Sequence, residues 1–321
     1  MRDLIFKNLE NKNILITGGT GFIGKNILDY LMNAKSLSIT IVTRNSVKFK
    51  KHNPKFEGMT NIRYIDSDIT HLEYDGYQYD YVIHLATSVV EKVNSIQLLN
   101  EITEGVKRVF DFAKKSGAKS IVNFSSGAIY GENRELRGFS ENHTGYPEIQ
   151  NVKSSYGLGK LLAEHYAYLY SDQTLKVTTF RGFCFAGAYL DARVFALGDF
   201  VSKSINNEDI VVLAGSGIYR SYLSTTNMVE SILYVLIHSV SRESNYEVYN
   251  LGSDEAISIP DLAKIVKQTL NSNSKLTFPN IDKSEISYYV PNIDKIKKIG
   301  LLPNYSLNEI ILDTANYYKN K

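Results

Sequence analysis

Tyr156 and Lys160 stand four residues apart in the helical pattern YGLGKLLAEHYAYLY, a spacing that projects both side chains from one face of a helix. A free phenol titrates near ~10. An ammonium group beside it favours the phenolate, so the pair could take up and release a proton close to working pH. The spacing alone proves little, because a second Tyr-x-x-x-Lys, Tyr317 to Lys321, ends the chain with no strand before it. What distinguishes the first pair is its place after an apolar run, SIVNFSS at 120 to 126, whose end supplies the hydroxyls of Ser125 and Ser126.

A second chemical signature follows the run NILIT at 13 to 17: Gly18-Gly19-Thr20-Gly21-Phe22-Ile23-Gly24, leading into an apolar helix. Gly18 permits the tight turn out of a strand, Gly21 lets backbone N–H groups approach a pyrophosphate, and Gly24 allows close helix packing. Phe22 and Ile23 open that helix, whose N-terminus adds partial positive charge. A glycine-rich turn alone is weak, but a strand before it and a helix after it make it a dinucleotide site. The residue that reads the adenosine ribose stands about 20 positions further on. Arg44 is there, directly after SITIVT at 38 to 43. An acidic residue would bind the 2′-hydroxyl of NAD, whereas a guanidinium pairs with the 2′-phosphate of NADP. Arg44 therefore favours NADP(H), with NAD(H) still possible and a plain surface cation as the alternative. Asp68 and Ile69 could meet the adenine edge or form a short acidic loop.

Such groups need a scaffold that brings separate segments together. Apolar runs at 13 to 17, 38 to 43, 62 to 65, 81 to 86, 120 to 126 and 176 to 180 alternate with helical patterns near 22 to 33, 100 to 116 and 156 to 171. Alternating strand and helix predicts an α/β fold, a doubly wound parallel sheet of the Rossmann type, with a smaller C-terminal substrate-binding lobe. The cofactor-binding domain is expected over 1–182. The lobe is expected over 183–321, interleaved with late sheet elements. The stretch KFKKHNPKFEG at 48 to 58 reads as a basic, solvated loop.

Composition narrows the class. The 321 residues carry 36 Lys and Arg against 34 Asp and Glu, a formal charge of +2, without the single-sign excess of a nucleic-acid binder. Cys184 is the single cysteine, so no intrachain disulfide and no ordinary zinc site is expected, and a reducing cytoplasm fits. The first dozen residues lack the apolar core of a signal peptide, and no apolar stretch is long enough to span a bilayer.

Taken in order, TGGTGFIG at 17 to 24, HLAT at 84 to 87, SSGAIYG at 125 to 131, YGLGK at 156 to 160, FRGFCFAG at 180 to 187, GSGIYRSYL at 215 to 223 and NLGS at 250 to 253 resemble the extended short-chain dehydrogenase/reductase family. That group includes nucleotide-sugar epimerases, dehydratases and reductases, and the likeness covers nearly the whole chain. It implies that Tyr156 is the acid/base acting on a sugar oxygen. It also implies that Lys160 lowers the tyrosine pKa and holds the nicotinamide ribose, and that Ser126 hydrogen-bonds the reacting oxygen. The segment holding Leu85, Ala86 and Thr87 would border the cofactor, while His84 reads as a core residue. Arg220 matches the family's phosphate-contacting arginine, and Arg193 is a second candidate for the nucleotide diphosphate.

Departures from the family pattern direct the reaction. Sugar-nucleotide dehydratases usually carry Thr, Asp and Glu from the position of Ser126, but here Gly127 and Ala128 follow. Elimination loses its acid and base, and the missing glutamate argues equally against a sugar-acid decarboxylase. The family's Asn is replaced by Cys184, and its Asp after Arg220 by Asn227. The resulting expectation is an NADPH-dependent 4-ketoreductase acting on a dTDP-linked 4-keto-6-deoxyhexose, in deoxysugar and polysaccharide biosynthesis. Alternatives are an NAD(P)-dependent nucleotide-sugar epimerase and a catalytically silent, cofactor-sensing binding protein. The resemblance also implies a homodimer through the helix carrying Tyr156 and the one after the fourth strand, with Leu161, Leu162, Tyr166 and Leu169 available for contact.

Overall fold

Short runs rich in Ile, Val and Thr become strands where the alternation predicts them. In the computed structural model, which describes residues 1–34, 36–87, 94–143, 147–279 and 286–321, helix α1 (Arg2–Leu9) precedes β1 (Asn13–Thr17), α2 (Phe22–Leu31) and β2 (Ser38–Thr43). Next come α3 (Ser46–His52), β3 (Ile62–Asp66), β4 (Tyr81–His84), α4 (Ser95–Lys115), β5 (Ser120–Ser126), α5 (Ser155–Tyr170) and β6 (Lys176–Gly182). The remainder alternates short strands with helices: β7 (Phe185–Ala186), α6 (Ala196–Ile205), β8 (Ile210–Val211), β9 (Ile218–Arg220), β10 (Leu223–Ser224) and α7 (Thr225–His238). It closes with β11 (Tyr246–Leu251), β12 (Ile257–Ser258), α8 (Ile259–Thr269), β13 (Leu276–Thr277), β14 (Ser287–Tyr289), α9 (Asp294–Lys297) and α10 (Leu307–Lys319).

Two units emerge from the contacts. The first comprises Met1–Gly131, Gly145–Arg181 and Val229–Tyr249; the second comprises Glu132–Thr144, Gly182–Met228 and Asn250–Lys321. Residues 132–144, expected within the cofactor domain, thus group with the second unit.

The first unit is built on a seven-stranded sheet of order β11-β6-β5-β4-β1-β2-β3. Strand β1 pairs in parallel with β2 and β4, β2 with β3, and β4 with β5. Every residue of β4, β5 and β6 is buried, as expected for strands covered on both faces. Helices α4 and α5 cover one such face. Val106, Val109, Phe110 and Ala113 of α4, with Ala163 and Ala167 of α5, share one core with Val82, Ile121 and Val177 of the sheet. The seventh strand, β11, is too interrupted by polar residues to stand out in the sequence, and its pairing to β6 supplies the missing neighbour.

The basic stretch at 48 to 58 is not a plain loop. Asn45 caps α3, its Oδ1 accepting from the Lys48 backbone N–H at 2.7 Å. Phe49 and Phe56 are buried and stacked at 5.8 Å between ring centroids. The lysines mask a capped turn with an apolar face.

The second unit holds a three-stranded sheet of order β12-β9-β14 and two two-stranded pairs, β10-β7 and β13-β8. Helix α10 starts with a capping box between Ser306 and Glu309.

Candidate active site

Strand β1 crosses over to β2 on one side and β4 crosses to β5 on the other, so the crevice beyond the carboxyl ends of β1 and β4 is the switch point of the sheet. The glycine turn lies there. Gly18 has φ +69°, and a Cβ added to it would come within 2.8 Å of the Ala86 nitrogen and 2.9 Å of the Leu85 carbonyl carbon. The turn therefore rests directly on the segment after β4. Leu85 N–H donates to the Thr17 carbonyl at 3.1 Å, and Ala86 N–H to Thr17 Oγ1 at 3.3 Å. Thr87 is exposed beside them. At the helix start, a methyl group on Gly24 would lie 2.4 Å from Gly19 Cα, so only glycine lets α2 begin this close to the turn. Gly21 caps α2 with no side-chain acceptor. The first-turn amides of Phe22, Ile23 and Gly24 consequently have no partner inside the helix and suit an anion.

Thr17 also meets His84. Its Oγ1 accepts from Ala86 N–H and lies within hydrogen-bond distance, 2.8 Å, of His84 Nδ1. Burial and the nearby Lys160 charge push the His84 pKa down to about 3. His84 is a neutral core residue that links the glycine turn to the helix face bearing Lys160.

That face carries the candidate proton-handling groups. Ser126 ends β5, and its Oγ accepts from Ala128 N–H at 3.1 Å, capping the single helical turn Gly127–Tyr130. The Tyr156 phenol is hydrogen-bonded to Ser126, which opposes the upward shift that burial imposes on it. Lys160 Nζ donates to the Phe124 carbonyl at 2.8 Å and sits 5.8 Å from the Tyr156 ring centroid. Only 6% of Lys160 is exposed. Burial lowers its pKa to about 8, against the raising influence of the Glu164 carboxylate. Helix α5 can lie this close to the serine turn because Gly157 follows Tyr156; a Cβ there would meet the Ala128 carbonyl oxygen at 2.4 Å.

A lysine whose folded pKa lies below its unfolded one is charged in both states under pH 8, where its burial costs stability in full. Between about 8 and the unfolded value near 10.4, the unfolded chain binds more protons, so stability rises with pH. Lys160→Met is expected to lose this rise. Denaturant titrations of the parent and the variant from pH 7 to about 10 check it through the difference between the two curves. Parallel curves would contradict a Lys160 whose pKa burial has lowered.

The nucleotide end of the first unit is more open. Arg44 is exposed just past β2. Asp68 is occupied as a cap, its Oδ1 accepting from the Thr70 backbone N–H at 3.0 Å and from Thr70 Oγ1 at 2.8 Å. Burial alone would raise its pKa, but those bonds and the charges of Arg44 and His71 hold it below the ordinary carboxylate value. A Cβ added to Gly105 of α4 would lie 3.2 Å from Ile69 Cγ2, and Ile69 is a partly buried side chain packed against the apolar core, which ties it to that helix.

Candidates from the second half of the chain lie in the second unit. Arg220, in β9, donates from Nη1 to the Tyr219 carbonyl at 2.7 Å and to Ser287 at 3.3 Å, with its guanidinium 5.7 Å from the Tyr289 ring centroid. Its charge acts on Cys184, whose thiol burial nevertheless pushes up to about 11. Asn227 is held by Ser224, Asn304 and the Leu302 carbonyl. Arg193 was the second candidate for the diphosphate. Its guanidinium is 88% exposed and paired to Asp191 of its own turn at 2.9 and 3.1 Å, so the cation is answered locally. Ser221 Oγ, next to Arg220, is buried and makes no hydrogen bond among the described residues.

Sequence reasoning passed over Gly157, Tyr130, Glu164 and Arg181, all of which pack at the serine turn or along α5. A carboxylate at 164, four residues after Lys160 in an otherwise apolar pattern, was the available signal. No group of His, Cys, Asp and Glu able to hold a metal occurs among the described residues, and no helix among them is long and apolar enough to cross a membrane.

Comparison with known proteins agrees with this geometry. The chain is 26% identical over 318 residues to UDP-glucuronic acid decarboxylase 1 of Xenopus tropicalis, spanning 97% of this chain and 73% of that protein. It is also 26% identical to the UDP-N-acetyl-alpha-D-glucosaminuronate decarboxylase of Bacillus cytotoxicus, over 96% of this chain and 98% of that one. A solved UDP-N-acetylglucosamine 4-epimerase from Methanobrevibacter ruminantium M1, in complex with UDP-N-acetylmuramic acid, superposes with a TM-score of 0.81 at 23% identity, covering 97% of this chain and 99% of that chain. The family model for NAD dependent epimerases and dehydratases matches residues 14–252, from β1 past the end of β11. With the glycine turn at the switch point and the tyrosine–lysine helix after β5, the chain belongs to the NAD dependent epimerase/dehydratase family.

Proposed function

We propose that the chain is a nucleotide-sugar epimerase that inverts a hydroxyl-bearing carbon of a UDP-linked sugar. The observation that carries this reading is the trio in one unit: the partly buried Tyr156 phenol bonded to Ser126, with the buried Lys160 ammonium one helical turn on. The cradle fits a dinucleotide, since the turn at Gly18 to Gly24 excludes side chains and offers amides that lack helical partners. Those amides and Leu85, Ala86 and Thr87 would hold NAD(P), which supplies a hydride acceptor and donor. Tyr156 takes the proton from the sugar hydroxyl and later returns it. Lys160 stabilises the phenolate and Ser126 holds the sugar oxygen. Arg220 meets the diphosphate. Names of the relatives and the neighbour support a UDP sugar rather than the dTDP sugar expected from sequence. Gly127 and Ala128, which offer no carboxylate, support epimerisation over decarboxylation.

A second reading, the 4-ketoreductase, is favoured by Arg44. Its position after β2 suits the 2′-phosphate of NADPH, the reductant such an enzyme consumes. Arg44→Asp is expected to weaken NADPH binding by roughly 10- to 100-fold while leaving NADH nearly unchanged, as read by fluorescence titration. Equal losses for both cofactors would remove Arg44 from the phosphate.

One assay separates the readings. UDP sugars incubated with the protein and NAD+ should invert at one carbon by NMR with no net gain in the reduced-nicotinamide band. Stoichiometric loss of NADPH with a 4-keto-6-deoxy nucleotide sugar would instead establish the reductase, and release of carbon dioxide from a UDP-uronic acid would establish a decarboxylase. Cofactor binding without any turnover would leave only a sensing role. Leu162 and Leu169 are exposed on α5 and suit a homodimer, which sedimentation would reveal.

A further inference from the structure

Behind the tyrosine–lysine face lies a charged cluster that the chemistry above does not use. Arg181, near the end of β6, is 8% exposed, and Glu164 on α5 is 5% exposed. The Arg181 Nε lies 3.2 and 3.1 Å from the two Glu164 carboxylate oxygens, and Nη2 donates to Oε2 at 2.9 Å. Its Nη1 donates to the Tyr130 hydroxyl at 2.8 Å. All three guanidinium nitrogens are thereby engaged, and they tie together three separate segments. Tyr130 closes the turn that begins at Ser126. Glu164 lies four residues after Lys160 and eight after Tyr156, on the same helix. Arg181 belongs to β6, the strand beside β5 in the sheet.

We propose that Arg181 is a positioning residue for the proton-handling trio, its fork on Glu164 and its bond to Tyr130 holding the serine turn at a set distance from the helix that carries Tyr156 and Lys160. A buried ion pair of this kind is weak evidence for stability, because apolar residues of equal volume would hold the core as well. Its planar fork does fix geometry, and an ammonium with freely rotating donors would not. The placement matters because Ser126 and Tyr156 come from different elements, and a misplacement of about 1 Å between reacting groups can cost on the order of 100-fold in rate. Glu164 adds a second effect through its charge, which supports the protonated form of Lys160.

This inference rests on the reading of Ser126, Tyr156 and Lys160 as the reacting groups, and its test is built to fail separately from that reading. Tyr130→Phe removes one hydroxyl and no charge. Arg181→Lys keeps the charge and loses the fork. In the full-length protein, Tyr130→Phe is expected to lower kcat by about 10-fold and Arg181→Lys by about 30- to 100-fold, with KM and cofactor affinity near the parent's. Thermal melts report stability independently. Variants that melt lower but keep the parent's kcat would overturn the proposal, leaving the cluster as core packing only. If Arg181→Lys does not fold, Tyr130→Phe decides alone. If the parent turns over no nucleotide sugar, the functional reading falls, and the tyrosinate absorbance of Tyr156, taken as the difference from Tyr156→Phe, decides instead. A titration midpoint raised by about half a unit in Tyr130→Phe supports positioning, and an unmoved midpoint overturns it.

Discussion

Tyr156→Phe is expected to lower turnover by roughly 10²- to 10⁴-fold while leaving NAD(P)H affinity close to that of the parent. The substitution removes a single oxygen from a partly buried ring packed against the core, so packing and the fold are retained. What is lost is the hydroxyl bonded to Ser126, on a ring whose centroid lies 5.8 Å from the Lys160 ammonium. Burial raises the Tyr156 pKa in the cofactor-free protein. The phenolate therefore has to draw on positive charge, from Lys160 and from an oxidised nicotinamide, to form at neutral pH. A pH–rate profile of the parent should accordingly show an acid limb that the variant lacks. Steady-state kinetics beside a cofactor titration check the result. Unchanged turnover in Tyr156→Phe would remove the acid/base role and, with it, the proposed chemistry.

Gly24→Ala is expected to weaken cofactor binding by about 100-fold, the loss of two or more charge-assisted contacts to the pyrophosphate. The added methyl would lie 2.4 Å from Gly19 Cα and 2.5 Å from the Gly19 carbonyl oxygen, both backbone atoms with no rotamer in which to retreat. Helix α2 must then withdraw from the turn, carrying its first-turn amides away from the anion. Isothermal titration with NADH and NADPH measures the loss, and a circular dichroism melt shows whether the sheet persists. Full affinity in a folded variant would mean that the turn does not receive the dinucleotide.

Much of this was legible along the chain because local rules governed it. Ile- and Val-rich runs such as SITIVT and SIVNFSS form β2 and β5 with the boundaries their composition suggests, since buried parallel strands read as continuous apolar runs. The glycine turn announces itself because one backbone conformation and one close approach each demand the same residue type. Tyr156 and Lys160 were legible from spacing and from their order after β5. Other features were not. The lysines of 48 to 58 concealed a capped helix, as charge on an exposed face says little about the face beneath it. The pairing of Arg193 with Asp191 two residues earlier was likewise not read from the sequence.

The sequence by itself determined where the candidate groups lie: residue types at set spacings pointed to a glycine turn after the first strand, a Tyr-x-x-x-Lys pair on a helix and a sheet to carry them, because those signals are local and periodic. Only the tertiary structure decided which groups meet. Ser126 reaches Tyr156 because Gly157 lets α5 lie on the serine turn. Lys160 is brought to about 8 because it is buried. Arg181 joins Glu164 and Tyr130, 17 and 51 residues away along the chain. Contacts of that kind follow from how the sheet orders its strands, and strand order is a property of the folded chain rather than of any stretch of it.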